Sequence, residues 1–292
     1  MGQRQMALIR PTKSSFFRAA LSGLGLAVAM LGLGACTVDS PKSRYILAER
    51  LWTDHNYAAS VVEFEKVIAK DSEGALGLQA LFRAAMTQTI YLSQHADAVE
   101  KFRRYIDRSN EAESIWEAQK QIGEILFAKT EQYDAAIRHY RVILKQKPSP
   151  AEAAEFFYRI GRSHFFLYQF DASIQAYQEV LKQFPKDPYA ETAALEIGHS
   201  HFTKAGLMEV RSTQGVESYQ EAMDAFQAFV RRYPASAKIS EAQFGIASCL
   251  EAMDQIDEAY HAYEALRGRY PSPNVIEIKL VRIKERQGQR KR

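Results

Sequence analysis

Only two cysteines, Cys36 and Cys249, occur in the 292 residues, so a disulfide framework of the kind that staples small secreted domains is excluded. Phosphate-cradling glycine loops, a Gly-x-Ser-x-Gly elbow and a His-Glu-x-x-His motif are also missing. Their absence removes the usual signals of nucleotide chemistry, serine hydrolysis and zinc proteolysis, and the chain is expected to be no enzyme and to need no cofactor or metal. Apolar runs are scarce. One stretch, Ala19 to Ala35, carries neither acid nor base, and no second candidate span follows it. With about seventeen residues rich in Gly and Ala, it is short for a permanent transmembrane helix. Charge excess is lacking too: the chain is formally +3, and residues after 35 hold 34 bases against 35 acids. No nucleic-acid partner is expected from such a balance.

What is present is a repeat. A small residue is followed four positions on by an aromatic ring at Ser60/Phe64, Ala98/Phe102, Ala136/Tyr140, Ser173/Tyr177, Ala222/Phe226 and Ala259/Tyr263. The small residues are 38, 38, 37, 49 and 37 positions apart, and a period of this size means stacked supersecondary units. Each unit reads as two helices. In the fourth, Phe157, Ile160, His164, Phe165 and Leu167 lie at helical spacing. A second helix is expected from about Asp171, as N-cap, to Phe184, where Pro185 stops it. A further small residue lies twelve before the mark at Ala48, Gly161 and Ala247, and at Gly198 once the fifth unit's insertion is discounted; Gly123 lies thirteen before. These are expected points of close helix crossing.

On these residues the chain resembles the tetratricopeptide repeat. The resemblance implies an all-α, right-handed superhelical solenoid of about six helix-turn-helix repeats over residues 42–271, with a C-terminal capping helix and basic tail over 272–292. The insertion at 206–218 is expected to form a loop. In that family the first helices line the concave face. Counting from the small positions then places Tyr45, Trp52, Arg83, Thr87, Tyr91, Lys120, Glu124, Phe127, Tyr158, Arg162, His199 and Phe202 toward a groove suited to an extended peptide or partner helix. Half of them are expected in the core.

Arg4, Arg10, Lys13 and Arg18 precede the apolar run, which ends in Leu33-Gly34-Ala35-Cys36. A charged start, an apolar stretch and small residues before a break describe an export signal over residues 1–35. The last four residues resemble the bacterial lipobox, implying acylation of Cys36, with residues 36–41 as tether, and a periplasm-facing protein on a Gram-negative membrane. Thr37, in place of an Asp after the Cys, favours the outer membrane. Acyl chains would tether it firmly.

The stretch Ala222 to Ser236 and the long inter-helix insertion before it, together with the lipobox, make the chain similar to BamD-like lipoproteins of outer-membrane β-barrel assembly. That likeness implies a scaffold whose partners are the barrel-assembling membrane protein and unfolded barrel clients. Two other roles stand beside it: a pilotin-like lipoprotein for pilus or secretin assembly, and a Tol-Pal-associated factor in envelope and peptidoglycan coordination. The last stretch, Lys279 to Arg292, holds seven bases and one acid. It reads either as a binding tail for anionic groups or as a solvated helix end. Cys249 is expected to be a buried thiol. His199 and His201 are two apart on a helix and point to different sides, so a packed role outweighs a metal.

Overall fold

In the computed structural model, residues 39–208 and 213–290 are described; the signal segment, Cys36 and the start of the tether lie outside them. Thirteen α-helices and no strand occur among the described residues. Twelve of the helices pair into six units: α1 (Pro41–Thr53) with α2 (Tyr57–Lys70), α3 (Ala75–Thr87) with α4 (His95–Arg108), and α5 (Ala112–Glu124) with α6 (Tyr133–Leu144). They continue as α7 (Pro150–Phe166) with α8 (Phe170–Gln183), α9 (Pro188–Gly206) with α10 (Thr213–Arg232), and α11 (Ile239–Ala252) with α12 (Ile256–Glu264). The last helix, α13 (Pro273–Arg290), closes the row. Each helix packs on the next in sequence, and α1 touches α3, α7 touches α9, and α9 touches α11. In these three pairs the first helices of successive units lie side by side, as a solenoid requires.

Local chemistry starts and stops these helices. Ser149 and Glu152 form a reciprocal capping box with Pro150 at the first position of α7. Asp187 accepts from the Tyr189 amide ahead of Pro188. Between the helices of five units the chain reverses through a left-handed residue, His55, Ser93, Glu131, Tyr168 or Asp254. Asp171, expected as the N-cap of α8, lies instead inside its first turn, and Gln169 holds the cap position. A carboxylate there still suits the helix dipole.

All six small residues of the repeat are fully buried, and their aromatic partners are at most 1% exposed. The glycines explain themselves by distance. A Cβ at Gly161 would stand 2.5 Å from the Tyr177 ring, one at Gly123 2.6 Å from Tyr140, and one at Gly198 2.5 Å from Phe226. The extra residue between Gly123 and its mark is taken up by a π-helical turn, Ile125–Lys129, where the Thr130 amide donates to the Ile125 carbonyl at 3.0 Å. A matching turn, Gln88–Leu92, ends α3.

The insertion differs from its expectation as a loop. α9 runs through Gly206 and α10 begins at Thr213, so much of the added sequence lengthens the second helix to 20 residues, against 14 in α8. Tyr219, at the position where the second helices of the other units begin, packs edge-on against Phe202 at 5.4 Å. Glu63, on α2, is 8% exposed and bonded to Arg44 at 2.9 Å and Lys66 at 2.6 Å. Its surroundings hold its pKa low: burial would raise it, and the two cations prevail. The basic tail is also not a loose end as far as Arg290. α13 buries Ile276, Leu280 and Ile283 against Ile256, Tyr263 and Leu266 of the last unit.

Candidate functional site

The first-helix face carries two clusters and a third, charged end. In units one and two, Trp52 lies edge-on to Tyr57 and to Tyr91, each at 5.9 Å, while Tyr57 and Tyr91 stack at 3.9 Å. Arg83 stands over the Trp52 ring at 4.7 Å and donates two hydrogen bonds to Glu49, at 2.8 and 2.9 Å. Tyr91 reaches Tyr57 of the preceding unit from the π-helical turn at the end of α3. Single π-turns of this kind are frequent at functional sites. Tyr91 stays 44% exposed and its neighbour Ile90 50%. Two aromatic rings, a guanidinium and an apolar side chain thus face solvent together.

In units three and four the centre is Arg159 of α7. Its guanidinium bonds Glu124 of α5 and Glu155, the latter at 2.7 Å, and donates to the Tyr140 hydroxyl at 3.3 Å. Burial alone would lower the Arg159 pKa, yet Tyr140, Glu124 and Glu155 together raise it. The same guanidinium stands 5.3 Å from the Phe127 ring. Lys120 is paired with Glu117 at 2.9 Å and approaches Glu152 at 3.8 Å. Phe127 meets Tyr133 edge-on, Tyr133 stacks on Phe166 at 4.8 Å, and Arg162 covers Phe166 at 5.1 Å. Tyr158 sits against Tyr177 and Tyr189.

Of the twelve residues expected in the groove, Thr87 is the one that is buried; its hydroxyl donates to the Arg83 carbonyl at 2.7 Å. Tyr45 is half-buried and packs on Phe64 of the core. The other ten keep part of their surface in solvent, though Phe127, Tyr158 and Phe202, like Tyr45, pack against the hydrophobic core. Trp52, Arg83 and Tyr91 come together, as do Lys120, Glu124 and Phe127 around Arg159. His199 and Phe202 stand apart from both groups. His199 bonds Glu241 at 3.2 Å, whereas His201 turns toward Glu221 at 3.1 Å. The two imidazoles thus serve different neighbours, and no cluster of three or more metal-ligating side chains occurs among the described residues. His164 is a packed histidine, bonded to Gln169 at 2.6 Å. Cys249 is fully buried, and burial pushes its thiol up to about 12.

Sequence counting missed Tyr57, Tyr133, Arg159 and Glu155. The aromatics had a readable signal. A ring eight before the mark meets a ring three before it in Trp52/Tyr57 and in Phe165/Phe170, and the pairs Phe127/Tyr133 and Phe202/Tyr219 follow once the π-turn and the insertion are allowed for. Arg159 offered no periodic signal, because its partners Glu124 and Tyr140 belong to another unit.

Among the described residues no helix is long and apolar enough to cross a membrane. Family models described as tetratricopeptide repeat match residues 125–188 and 241–273. A search of the curated proteins finds no match. Among solved structures, a tetratricopeptide repeat protein from Parabacteroides merdae superposes with a TM-score of 0.50 at 13% identity, covering 86% of this chain and 88% of that one. PilW, a type IV pilus biogenesis factor, gives 0.48 at 14% identity, covering 83% and 97%. YrrB, a protein of this repeat class with an unusual peptide-binding site, gives 0.46 at 14%, covering 71% and 93%. The chain carries tetratricopeptide repeats and folds as a solenoid of that type.

Proposed function

We propose that this tetratricopeptide solenoid is a scaffold that holds an extended segment of a partner protein along its first-helix face. The observation that carries the reading is the cluster of Trp52, Tyr57, Tyr91 and Arg83. Here rings and a guanidinium from two successive units meet in solvent, the residue types that anchor protein interfaces. Glu49 fixes Arg83 in place, so little side-chain freedom remains to be lost on binding.

The finer reading is a lipid-anchored component of outer-membrane protein assembly, of the BamD-like kind, facing the periplasm. Leu33-Gly34-Ala35-Cys36 and the stretch Ala222 to Ser236 support it. Crosslinked pull-down from membranes, with the captured proteins identified, tests the partner. Recovery of the barrel-assembling protein is expected, and its consistent absence overturns the assembly role. Fatty-acid labelling tests the anchor: Cys36→Ser should abolish label and membrane retention, and unchanged labelling would remove the lipoprotein reading.

A further inference from the structure

At the C-terminal end of the first-helix face a recess of about 510 Å³ opens between α9, α11 and α13. Phe202 and Phe244 line it, with Glu251 and three cations of α13, Lys279, Arg282 and Arg286. Glu251 is 8% exposed. Its Oε2 accepts from Lys279 at 2.7 Å and from the Tyr263 hydroxyl at 3.1 Å. Its Oε1 faces Arg282 and Arg286 at 4.0 and 3.8 Å, too far for hydrogen bonds. Arg286 donates instead to Asp254 at 2.8 Å, which Arg290 also pairs. Four cations thus meet two carboxylates, leaving two positive charges in excess. Arg282 makes no hydrogen bond among the described residues, and its side chain is 67% exposed.

We infer that this recess takes an acidic residue of the partner's segment, its carboxylate on Arg282 and Arg286 and an adjacent apolar side chain against Phe202 and Phe244. The inference deepens the scaffold reading and rests on it. Charge complementarity selects the occupant. The carboxylate finds a guanidinium fork with unspent donors, which bind carboxylates bidentately. The rings offer apolar surface that an apolar neighbour on the same chain would cover. A membrane surface offers anionic groups in a plane and cannot follow a recess lined by helices, whereas an extended chain can.

The test titrates the purified full-length protein with a short labelled peptide alternating phenylalanine and glutamate, with its glutamine counterpart, and with phosphatidylglycerol vesicles. The glutamate peptide should bind, the glutamine peptide should bind roughly tenfold or more weakly, and Arg282→Ala should cost the glutamate peptide a similar factor. Thermal unfolding of Arg282→Ala should match the parent, because that side chain holds no hydrogen bond. Arg282→Glu should abolish binding, and added salt should weaken it. Equal affinity for the two peptides, indifference to Arg282, or Arg282-dependent binding of vesicles alone would each overturn the inference. If the peptide fails while pull-down capture still depends on Trp52, this subsite falls and the scaffold reading stands.

Discussion

The two ends of the solenoid use one repeat position in opposite ways. Eight residues before the small mark, the first unit has Trp52 and the sixth has Glu251. Trp52 is covered by Arg83 of the next unit and remains partly exposed beside Tyr91. Glu251 is buried beneath α13, whose Lys279 occupies one oxygen and whose Arg286 ties the neighbouring Asp254. A ring at this position leaves a rung of the groove open, while a carboxylate there recruits a basic helix that ends the stack. The basic tail thus has a structural task before any other, and excess charge remains on its outer side.

The largest effect that could break this comparison is at Glu251. Removing one partner of a buried ion pair commonly costs about 3–5 kcal/mol. The low end is expected for Glu251→Ala, since the Lys279 side chain is 26% exposed and can turn to water. In a stacked architecture the damage should stay local. Hydrogen exchange should accelerate in α11 to α13 and leave α1 to α6 protected; uniform acceleration would mean that α13 is not a separable cap.

Next in size is overpacking in the middle of the row. Gly161→Leu must displace Tyr177, which already stands where the first added carbon would be. About 1–3 kcal/mol should be lost, seen as a lower melting temperature than that of the exposed control Lys182→Ala. Equal melting of the two would show that the close crossing of α7 and α8 is wrongly placed.

A third prediction sharpens the contrast by function. Trp52→Ala should weaken partner capture roughly thirtyfold, about 2 kcal/mol, while helical content holds. An unchanged affinity would move the binding surface away from the first two units.

The repeat was legible because small residues and rings recur at one spacing, and each mark proves buried. Gly123, Gly161 and Gly198 were legible for the same reason, as each faces the ring of its own unit. Three features were not. The lengthened α10 hid because its added turns, Thr213 to Ser218, show no large apolar residue beyond Val216. The π-helical turns showed only as the one-residue offset of Gly123, because one extra backbone residue leaves the hydrophobic period intact on either side. The charged networks hid because Arg159 finds Glu124 35 residues away and Lys279 finds Glu251 28 residues away, and no local pattern announces such pairs. The groove residues were thus half readable: counting put them on the first helices and the π-turns that end them, while their partners needed the stacking of units.

The most direct measurement of the central claim places a photo-crosslinking amino acid at Tyr91, on the first-helix face, and in a second variant at Lys182, on a second helix. The account predicts that a discrete protein adduct forms in cells from position 91 and not from position 182. Adducts from position 182 alone, or equally from both, would contradict it.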